Sequence, residues 1–398
     1  MKKIAFYLLL LLLACTNVDE SSNNDIIRAV VIYDTDFEKV SYSGKELIDD
    51  YYYIPLETID SSNLIGKIDK IEIYGNKIFV LDKRISKGIF IFDLKGKYLN
   101  KIYKIGEGPG EFVQLYDMIV DTSNIQLILY CHKIQKILFY ELNGKFIREK
   151  KIGISLRSMA YQNGNYMFFT HSIYNYHNKY GDLNYDFIVI DTSMRLINKQ
   201  FPNKMQLNKS SVVISHGSYF TKNSGDLFIS YIFNDTIYKI TDKNQAIPFC
   251  YFDFGNNSIP SYVFKEKENI YIYKDVVMDG LYWCKYGPLE FTKQLGFINI
   301  SAGISNEEVN GFYSLIFRRD LTSKILFKEI LLEKDDGIFS NPISNMGEYF
   351  VSVIYPEELL FTKENNNDET PLFLKGIDYQ VNKFDYPLLM FTKFKKIC

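Results

Sequence analysis

Two histidines in one short stretch, His171 and His177, are the residues whose type and spacing first suggest chemistry. Imidazole nitrogens bind transition metals, but a metal site needs three or four ligands at about 2 Å, supported by further hydrogen-bond partners. Asp182 is the nearest carboxylate in the sequence, and Tyr174 and Tyr176 lie between the two histidines. The stretch therefore predicts no metal site, and we expect no cofactor.

A glycine-rich stretch, residues 106–112, could cradle a phosphate, because glycines expose backbone N–H groups to anions. A phosphate loop of this kind would precede a helix and carry a lysine, and the sequence has neither here. Glu107 and Glu111 would also repel a phosphate. We expect a structural loop instead, with glycines at positive φ and with Phe112 packed between two repeats.

No Gly-x-Ser-x-Gly elbow, His-Glu-x-x-His helix or Ser–His–Asp arrangement is visible, so we predict no catalytic residue. A pair of carboxylates for glycoside hydrolysis is assembled in space and leaves no trace in a sequence. A hydrolase or lyase that acts on a polysaccharide or another envelope substrate therefore stays open as an alternative. The formal net charge of −2 gives no electrostatic reason to expect a nucleic-acid partner.

The N-terminus carries an export signal: two lysines, then an apolar run too short to span a bilayer, then residues 12–15 (Leu-Leu-Ala-Cys). A cysteine after a small residue resembles a bacterial lipobox. We predict a lipoprotein signal peptide over residues 1–14, an acylated Cys15 that binds the membrane through its lipid, and a flexible tether over residues 15–27. The predicted location is an outer-membrane lipoprotein, periplasmic or surface-exposed. An ordinary signal peptide with a coincidental cysteine is the alternative.

The other four cysteines are Cys131, Cys250, Cys284 and Cys398. An even number in an exported protein permits disulfides, but the spacings match no known framework. Cys131 and Cys250 lie in apolar, strand-like runs, which favours buried thiols.

The elements that would position functional residues are strands, in a unit that recurs about every fifty residues. Each copy has a strand, a tight turn, a second strand, a loop, a third strand that ends in an acidic turn, and a fourth strand. The acidic turns at residues 93–97 and 141–145 begin 48 residues apart, and the next, at 191–195, follows after 50. Short strands separated by Asn-Gly-type turns indicate hairpins, and four strands per such period are typical of a β-propeller blade.

The sequence thus predicts an all-β fold, a six-bladed β-propeller of four-stranded antiparallel blades over residues 28–398. A β-sandwich is the alternative, and the regular period argues against it. We expect the strand candidates at 50–57 and 387–394 to share one sheet, so that the two chain ends close the ring. Residues 283–303 interrupt the period and are predicted to be irregular. No helix longer than about two turns is predicted after the signal.

Four motifs, in this order, resemble the six-bladed β-propeller lipoproteins of Bacteroidetes that are described as TolB-like or NHL-like propellers. The resemblance spans roughly residues 50–398 and is most specific over 53–260. It implies a propeller fold, a location in the cell envelope and no established common activity. The motifs are residues 53–58 (Tyr-Ile-Pro-Leu-Glu-Thr), 106–112 (Gly-Glu-Gly-Pro-Gly-Glu-Phe), 234–238 (Asn-Asp-Thr-Ile-Tyr) and 251–255 (Tyr-Phe-Asp-Phe-Gly).

In a propeller, the loops between second and third strands share one face with the connections between blades. Here those loops are rich in tyrosine, histidine, asparagine and cations, and aromatic rings and amides suit sugar or peptide recognition. We predict a binding or interaction module for an unknown protein, peptide or glycan. Solvated loop tips without a ligand, or protein partners on the blade rims, are the alternatives. The predicted binding residues are Arg84, His132, Lys133, His171, Tyr174, Tyr176, His177, Tyr231 and Asn234.

Overall fold

Six β-sheets form a ring in the computed structural model. The first strand of each sheet contacts the first strands of the sheets on either side, and that of the sixth contacts that of the first. The predicted six-bladed propeller of four-stranded antiparallel blades is therefore confirmed. The structure describes residues 27–57, 59, 64–171, 173, 175, 179–202, 218–263, 276, 279–303, 311–332, 337–365, 374, 377 and 387–397.

Three strands precede the first complete blade, and three further groups of strands follow in chain order. The N-terminal strands are β1 (Arg28–Val31), β2 (Ser41–Ser43) and β3 (Ile48–Pro55). Blade 1 consists of β4 (Lys70–Tyr74), β5 (Lys77–Asp82), β6 (Gly88–Asp93) and β7 (Tyr98–Ile102). Blade 2 consists of β8 (Leu115–Asp121), β9 (Gln126–Cys131), β10 (Lys136–Glu141) and β11 (Phe146–Lys151). Blade 3 consists of β12 (Ser158–Gln162), β13 (Asn165–Phe169), β14 (Tyr185–Asp191) and β15 (Leu196–Pro202). Blades 4 and 5 are β16 (Phe220–Asn223), β17 (Asp226–Ile229), β18 (Thr236–Ile240), β19 (Ala246–Asp253); and β20 (Cys284–Phe291), β21 (Leu295–Ala302), β22 (Gly311–Arg318), β23 (Lys324–Phe327). After them come β24 (Glu329–Leu331) and the strands of blade 6, β25 (Pro342–Met346), β26 (Tyr349–Ile354) and β27 (Leu388–Phe394).

The chain ends close the ring in blade 6, as predicted. Its strand order is β25-β26-β27-β3, so the N-terminal strand β3 is outermost and pairs with the C-terminal strand β27. The antiparallel register runs from Leu388 opposite Pro55 to Phe394 opposite Ile48. Because each end of the chain supplies part of one sheet, the ring cannot open without breaking this ladder.

The two faces of the propeller follow from strand direction. The first-to-second and third-to-fourth turns lie on one face, which we call the turn face. The second-to-third loops and the connections between blades lie on the opposite one, the loop face. Each first strand therefore runs from the loop face to the turn face along the central channel.

An additional feature, which the repeat did not predict, is an N-terminal strap, residues 28–47. Its strand β1 adds to blade 4 as a fifth strand, parallel to β19. The strap then passes blade 5, where β2 pairs in parallel with β24, and leads into β3 of blade 6. Among the described residues, the strap thus covers part of the rims of blades 4 and 5, and no strand pairs with the fourth strands of blades 1 to 3 from outside.

The core lies between neighbouring blades, and the middle strands are buried on both faces. Ile78, Phe79, Val80 and Leu81 of β5 are all fully buried, which is why this strand is a continuous apolar run. The loop at residues 106–112 has the predicted structural role. Phe112 is fully buried among side chains of blades 1 and 2, and Gly110 has a φ of +73°.

Two expectations were wrong. Residues 283–303 are not irregular, because β20 and β21 are regular eight-residue strands of blade 5, with a register shift between Tyr286 and Glu290. This bulge and the long strands displace the turn signals that mark the period elsewhere. A ten-residue helix, Pro356–Asn365, follows β26 and exceeds the expected length. Among the described residues no helix is long and apolar enough to cross a membrane.

Candidate functional site

The central channel contains a cavity of about 310 Å³. Its wall is built from the first strands of the blades and includes Thr122, Gly225 and Gly347. Those three residues belong to turns between first and second strands, so the cavity extends to the turn face. This volume is at the lower end of the range of about 300–1,000 Å³ that is typical of small-molecule sites.

One wall of the cavity carries a buried ion pair that joins blades 1 and 2. Nζ of Lys70 lies 2.9 Å from Oδ1 of Asp117 and 3.3 Å from Oε1 of Glu72. The other carboxylate oxygen of Asp117, Oδ2, accepts hydrogen bonds from the Met159 N–H (2.7 Å) and the Ser158 hydroxyl (3.2 Å) of blade 3. Burial alone would lower the pKa of Lys70, but the charges of Asp117 and Glu72 outweigh burial and raise it. Burial raises the pKa of Glu72, against the charge of Lys70. The contacts of Asp117 with Lys70 and Met159 link three blades.

The opposite wall is a neutral network from blades 4, 5 and 6. Nδ2 of Asn345 donates to Oε2 of Glu290 (2.8 Å), and Nδ2 of Asn223 donates to Oδ1 of Asn345 (3.0 Å). Glu290 is only 4% exposed. Burial raises the pKa of Glu290 to about 8, against the hydrogen bond from Asn345 and with a further contribution from the charge of Glu72. At neutral pH most of Glu290 is thus an uncharged acid that can donate a proton in a hydrogen bond.

The acidic and basic residues that line the cavity are Lys70, Lys222, Glu72 and the mostly neutral Glu290. Asp117 does not line the cavity but pairs with Lys70 behind its wall. Hydroxyl and amide groups supply both donors and acceptors, and Tyr74 and Tyr161 add aromatic surface to the lining. Such an arrangement can hold an uncharged, hydrogen-bonding molecule, and it gives little attraction to a strongly charged one. No group of His, Cys, Asp and Glu side chains within the described residues could hold a metal ion.

The predicted binding residues lie on the loop face, at the other end of the channel. The Arg84 and Lys133 side chains are exposed, and the Arg84 N–H donates to Oδ1 of Asp82 (3.1 Å). The His132 ring packs near those of Tyr116 (5.2 Å between centroids) and Tyr130 (6.1 Å).

Nδ1 of His132 is buried and has no hydrogen-bond partner among the described residues. Burial, and then the charge of Arg157, lower the pKa of His132. A neutral imidazole is therefore favoured at this position.

A second loop-face group contains three of the predicted residues. The His171 ring stacks on that of Tyr219 (5.1 Å) and lies 6.3 Å from that of Tyr231. Nδ2 of Asn234 donates to the Tyr231 hydroxyl. The structure thus brings His171, Tyr231 and Asn234 together, in a group distinct from that of His132. Tyr174, Tyr176, His177 and the predicted lipidation site Cys15 lie outside the described residues.

A buried lysine lies beneath this second group. Nζ of Lys285 donates to the Tyr231 carbonyl (2.6 Å) and to the Ser230 hydroxyl (2.8 Å). Burial lowers the pKa of Lys285 to about 8, although the charge of Asp235 opposes the shift. Burial also raises the pKa of Asp235 to about 6. Lys285 is 1% exposed, and its two hydrogen bonds tie blade 5 to the loop that follows β17 of blade 4.

The sequence analysis did not identify the polar side chains of the channel wall, although one pattern in the sequence indicates them. The first strand of a propeller repeat is the innermost one, and β4 places Lys70 and Glu72 at alternate positions in it, so that both lie on one face of the strand. Charged residues at alternate positions of an inner strand indicate a polar channel. The neutral groups, Asn223, Glu290 and Asn345, carry no such mark, because only the closed ring brings them together.

A family model for a domain of unknown function, DUF4934, matches residues 30–393. The chain belongs to this family. No curated protein matches it. The family carries no activity in its description, so the channel groups are not assigned by it.

Two solved structures are similar to this propeller. One is a protein from Bacteroides fragilis described as a "putative exported protein", with a TM-score of 0.66 and 18% identity, covering 90% of this chain and 99% of that one. The other is a DUF4221 family member from Bacteroides vulgatus, with a TM-score of 0.50 and 12% identity, covering 88% and 97%. At these identities the likeness shows the fold, a propeller that matches nearly the whole length of both proteins.

Proposed function

We propose that this protein is a lipid-anchored binding module of the cell envelope, exported as an outer-membrane lipoprotein that is periplasmic or surface-exposed. Its ligand is a small neutral polar molecule or segment, a glycan end or a peptide, taken up by the channel cavity. The export signal and Cys15 support the anchor. The likeness to a Bacteroides protein described as exported is in keeping with this location.

The observation that carries the binding proposal is the pairing of Glu290 with Asn345 at the cavity wall. Asn345 uses its amide to hold one oxygen of Glu290, and Oε1 receives no hydrogen bond from the described residues. A neutral carboxylic acid next to two amides can donate to and accept from sugar hydroxyls or a peptide group. A glycan is the better match, because it is uncharged and rich in hydroxyl groups.

A thermal-shift screen of the purified protein against oligosaccharides and short peptides tests this proposal, followed by calorimetry on any hit. A ligand at 100 times its dissociation constant stabilises the native state by about 2.7 kcal/mol. We expect Glu290→Ala to weaken the binding at least tenfold, roughly the value of one good hydrogen bond to a buried group. Lys133→Ala, on the loop face, is the control and should bind normally. Loss of binding in Tyr231→Phe or His132→Ala, with Glu290→Ala unaffected, would move the site to the loop face.

An enzyme is the second candidate, and one observation favours it. Glu72 and Glu290 line the same cavity, and the charge of Glu72 raises the pKa of Glu290. Burial raises the pKa of Glu72 as well, against the charge of Lys70. A pair of acidic side chains whose pKa values are set by their surroundings is what hydrolases use on glycosidic bonds. Mass spectrometry of a bound oligosaccharide after incubation tests this candidate. Turnover that Glu290→Gln abolishes while binding persists would make the protein a hydrolase or lyase.

A further inference from the structure

Four exposed aliphatic side chains recur at one position of the propeller. Leu99, Ile147, Ile197 and Ile247 are each the second residue of the fourth strand in blades 1 to 4, and their exposures are 44%, 45%, 47% and 44%. Successive members are 48, 50 and 50 residues apart. Because a fourth strand starts directly after a third-to-fourth turn, all four side chains lie near the turn face, at the same height on the rim.

In blades 1 to 3 this residue is the extra residue of a β-bulge. The ladder passes from Phe92–Tyr98 to Ile91–Asn100, which leaves Leu99 unpaired, and the same shift leaves out Ile147 and Ile197. A bulge protects an exposed edge from pairing with another chain. Protection of the edge accounts for the bulged backbone. It does not account for an aliphatic side chain at an exposed position, where a polar side chain would be solvated by water.

The same rim is positively charged. In blades 1 to 3, the third-to-fourth turns and fourth strands (residues 93–102, 141–151 and 191–202) contain nine Lys and Arg against four Asp and Glu. Four of these bases and three of the acids lie in the turns themselves, and the other five bases lie along the fourth strands toward the loop face. Lys145 and Arg195 also pair with Glu141 (3.5 Å) and Asp191 (2.7 Å) of their own turns. The whole chain has a net charge of −2. A lysine or arginine lies two positions before each bulge residue. All three of these basic side chains, Lys97, Lys145 and Arg195, are exposed.

The first strand of the chain runs away from the turn face. Strand β1 is parallel to β19, and a fourth strand runs from the turn face toward the loop face, so Arg28 is at the turn-face end of β1, opposite Cys250 near the middle of β19. The Arg28 guanidinium donates to the carbonyl of Asp320 (3.3 Å), a residue of the third-to-fourth turn of blade 5. Cys15 precedes Arg28 by thirteen residues, a reach of at most about 45 Å.

We propose that the turn face lies against the anionic surface of the membrane that holds the lipid. Leu99, Ile147 and Ile197 insert among the headgroups, and the bases beside them contact the phosphates. Apolar side chains flanked by lysine and arginine are the composition of an interfacial membrane contact. The proposal rests on the proposed lipid anchor.

The spacing of the side chains favours a membrane over a protein partner. The aliphatic residues sit singly on separate blades and form no contiguous patch, whereas a protein interface needs a clustered apolar centre. A membrane is a plane, and it accepts separate anchors at one height. The channel cavity also reaches the turn face, so its ligand would come from the membrane surface.

Tryptophan scanning on vesicles tests the proposal with the full, acylated chain. The fluorescence of Leu99→Trp, Ile147→Trp and Ile197→Trp is measured on two kinds of vesicle. The anionic vesicles contain phosphatidylglycerol and phosphatidylcholine, the neutral ones contain phosphatidylcholine alone, and both contain brominated lipid, a short-range quencher. The native Trp283 is buried, 4% exposed, and gives a constant background. Tyr103→Trp is the matched control, because Tyr103 is 55% exposed and follows β7 at its loop-face end.

We expect bromolipid to remove most of the added fluorescence at positions 99, 147 and 197 on anionic vesicles, and none at 103. Neutralising Lys97, Lys145 and Arg195 together to glutamine should reduce the quenching to its level on phosphatidylcholine. Quenching at position 103 in place of 99 would overturn the proposed orientation, and so would the absence of quenching at every position. Neither outcome would affect the proposal that the channel cavity binds a ligand. Failure of the chain to float with vesicles would reject the anchor and this inference together, and soluble-ligand binding would still test the channel.

Discussion

The two halves of the ring manage their outer edges in different ways. In blades 4 and 5 the N-terminal strap, residues 28–47, lies along the rim, and in blade 6 it leads into the outermost strand, β3. In blades 1 to 3, which we call the bare half, no described strand pairs with the outer edge of the fourth strand. Each of these fourth strands has a bulge at its second residue and carries basic side chains. Unpaired edges invite aggregation, and charged, bulged edges prevent it.

The strap packs into the hydrophobic core of blades 4 and 5. Phe37 is 8% exposed, and its ring lies 4.8 Å from those of Trp283 and Tyr313. Nζ of Lys324 lies 2.6 Å from Oδ1 of Asp36, with both side chains mostly buried. The strap is thus a packed structural element, whereas the second residues of the fourth strands of blades 1 to 3 are about half exposed.

The channel repeats the same division. Blades 1 and 2, of the bare half, supply the charged wall with Lys70, Glu72 and Asp117. Blades 4, 5 and 6 supply the neutral wall with Asn223, Glu290 and Asn345. A ligand between the walls would meet the Lys70 ion pair on one side and, on the other, the hydrogen-bonding groups of Asn223, Glu290 and Asn345 with Lys222 of blade 4 beside them.

The largest expected effect comes from the strap core. Phe37→Ala removes a buried aromatic ring and leaves a cavity against Trp283 and Tyr313, so we expect a loss of about 3–5 kcal/mol in the free energy of unfolding. Leu99→Ala is the matched change on the bare rim, and it should stay within about 0.5 kcal/mol. Urea unfolding of both variants measures the contrast. Similar losses in the two would mean that the rim side chain is structural after all.

The next effect concerns the neutral wall and depends on pH. The pKa of Glu290 is raised to about 8 in the folded protein, so its contribution to stability is complete below the unfolded pKa, near 4.5, and is lost as the pH rises through 8. Glu290→Gln cannot ionise and removes this dependence. The stability of the native protein relative to this variant should fall by roughly 2–4 kcal/mol between pH 5 and pH 9.

Denaturant unfolding at several pH values measures the free energy of unfolding of the native protein and of Glu290→Gln. Subtracting one from the other cancels the titration of groups that both proteins share, such as Asp235 and Lys285. Parallel curves would show that Glu290 is ionised across the range. The neutral wall would then be as charged as the one opposite.

A smaller effect separates two ion pairs. Asp36→Asn weakens the strap's pair with Lys324, where the side chains are 23% and 19% exposed, and should cost about 1 kcal/mol. Arg195→Gln breaks the pair with Asp191 on the bare rim, where the arginine is 77% exposed, and should cost less than about 0.5 kcal/mol. Thermal unfolding of both variants at low and high salt measures the cost of losing each ion pair. Equal costs would contradict the division between the halves.

Much of the fold could be predicted because a blade is a local object. The acidic turns predicted at residues 93–97, 141–145 and 191–195 each join the third and fourth strands of a blade, as the repeat indicated. Closure of the ring by the two chain ends could also be predicted, since an unpaired edge would otherwise remain. The positions of the loop-face residues followed from the same topology, and their role in binding stays a prediction.

The strap, the regular strands of blade 5 and the helix Pro356–Asn365 could not be predicted in this way. The strap's strands are three or four residues long and pair with β19 and β24, more than two hundred residues away. Such pairing depends on which edges the finished ring leaves open, and no local pattern encodes that. The helix lies in an insertion outside the repeat, where the period gives no guide.

The sequence by itself determined the type of strand, the blade period and the number of blades, because these depend on neighbouring residues. Only the tertiary structure decided which side chains meet in the channel and which half of the ring stays bare. Asp117 reaches Lys70 of one blade and Met159 of another, and Glu290 meets Asn345 across a blade boundary. Burial by the closed ring, and not the residue types alone, raises the pKa of Glu290 to about 8 and keeps it mostly neutral.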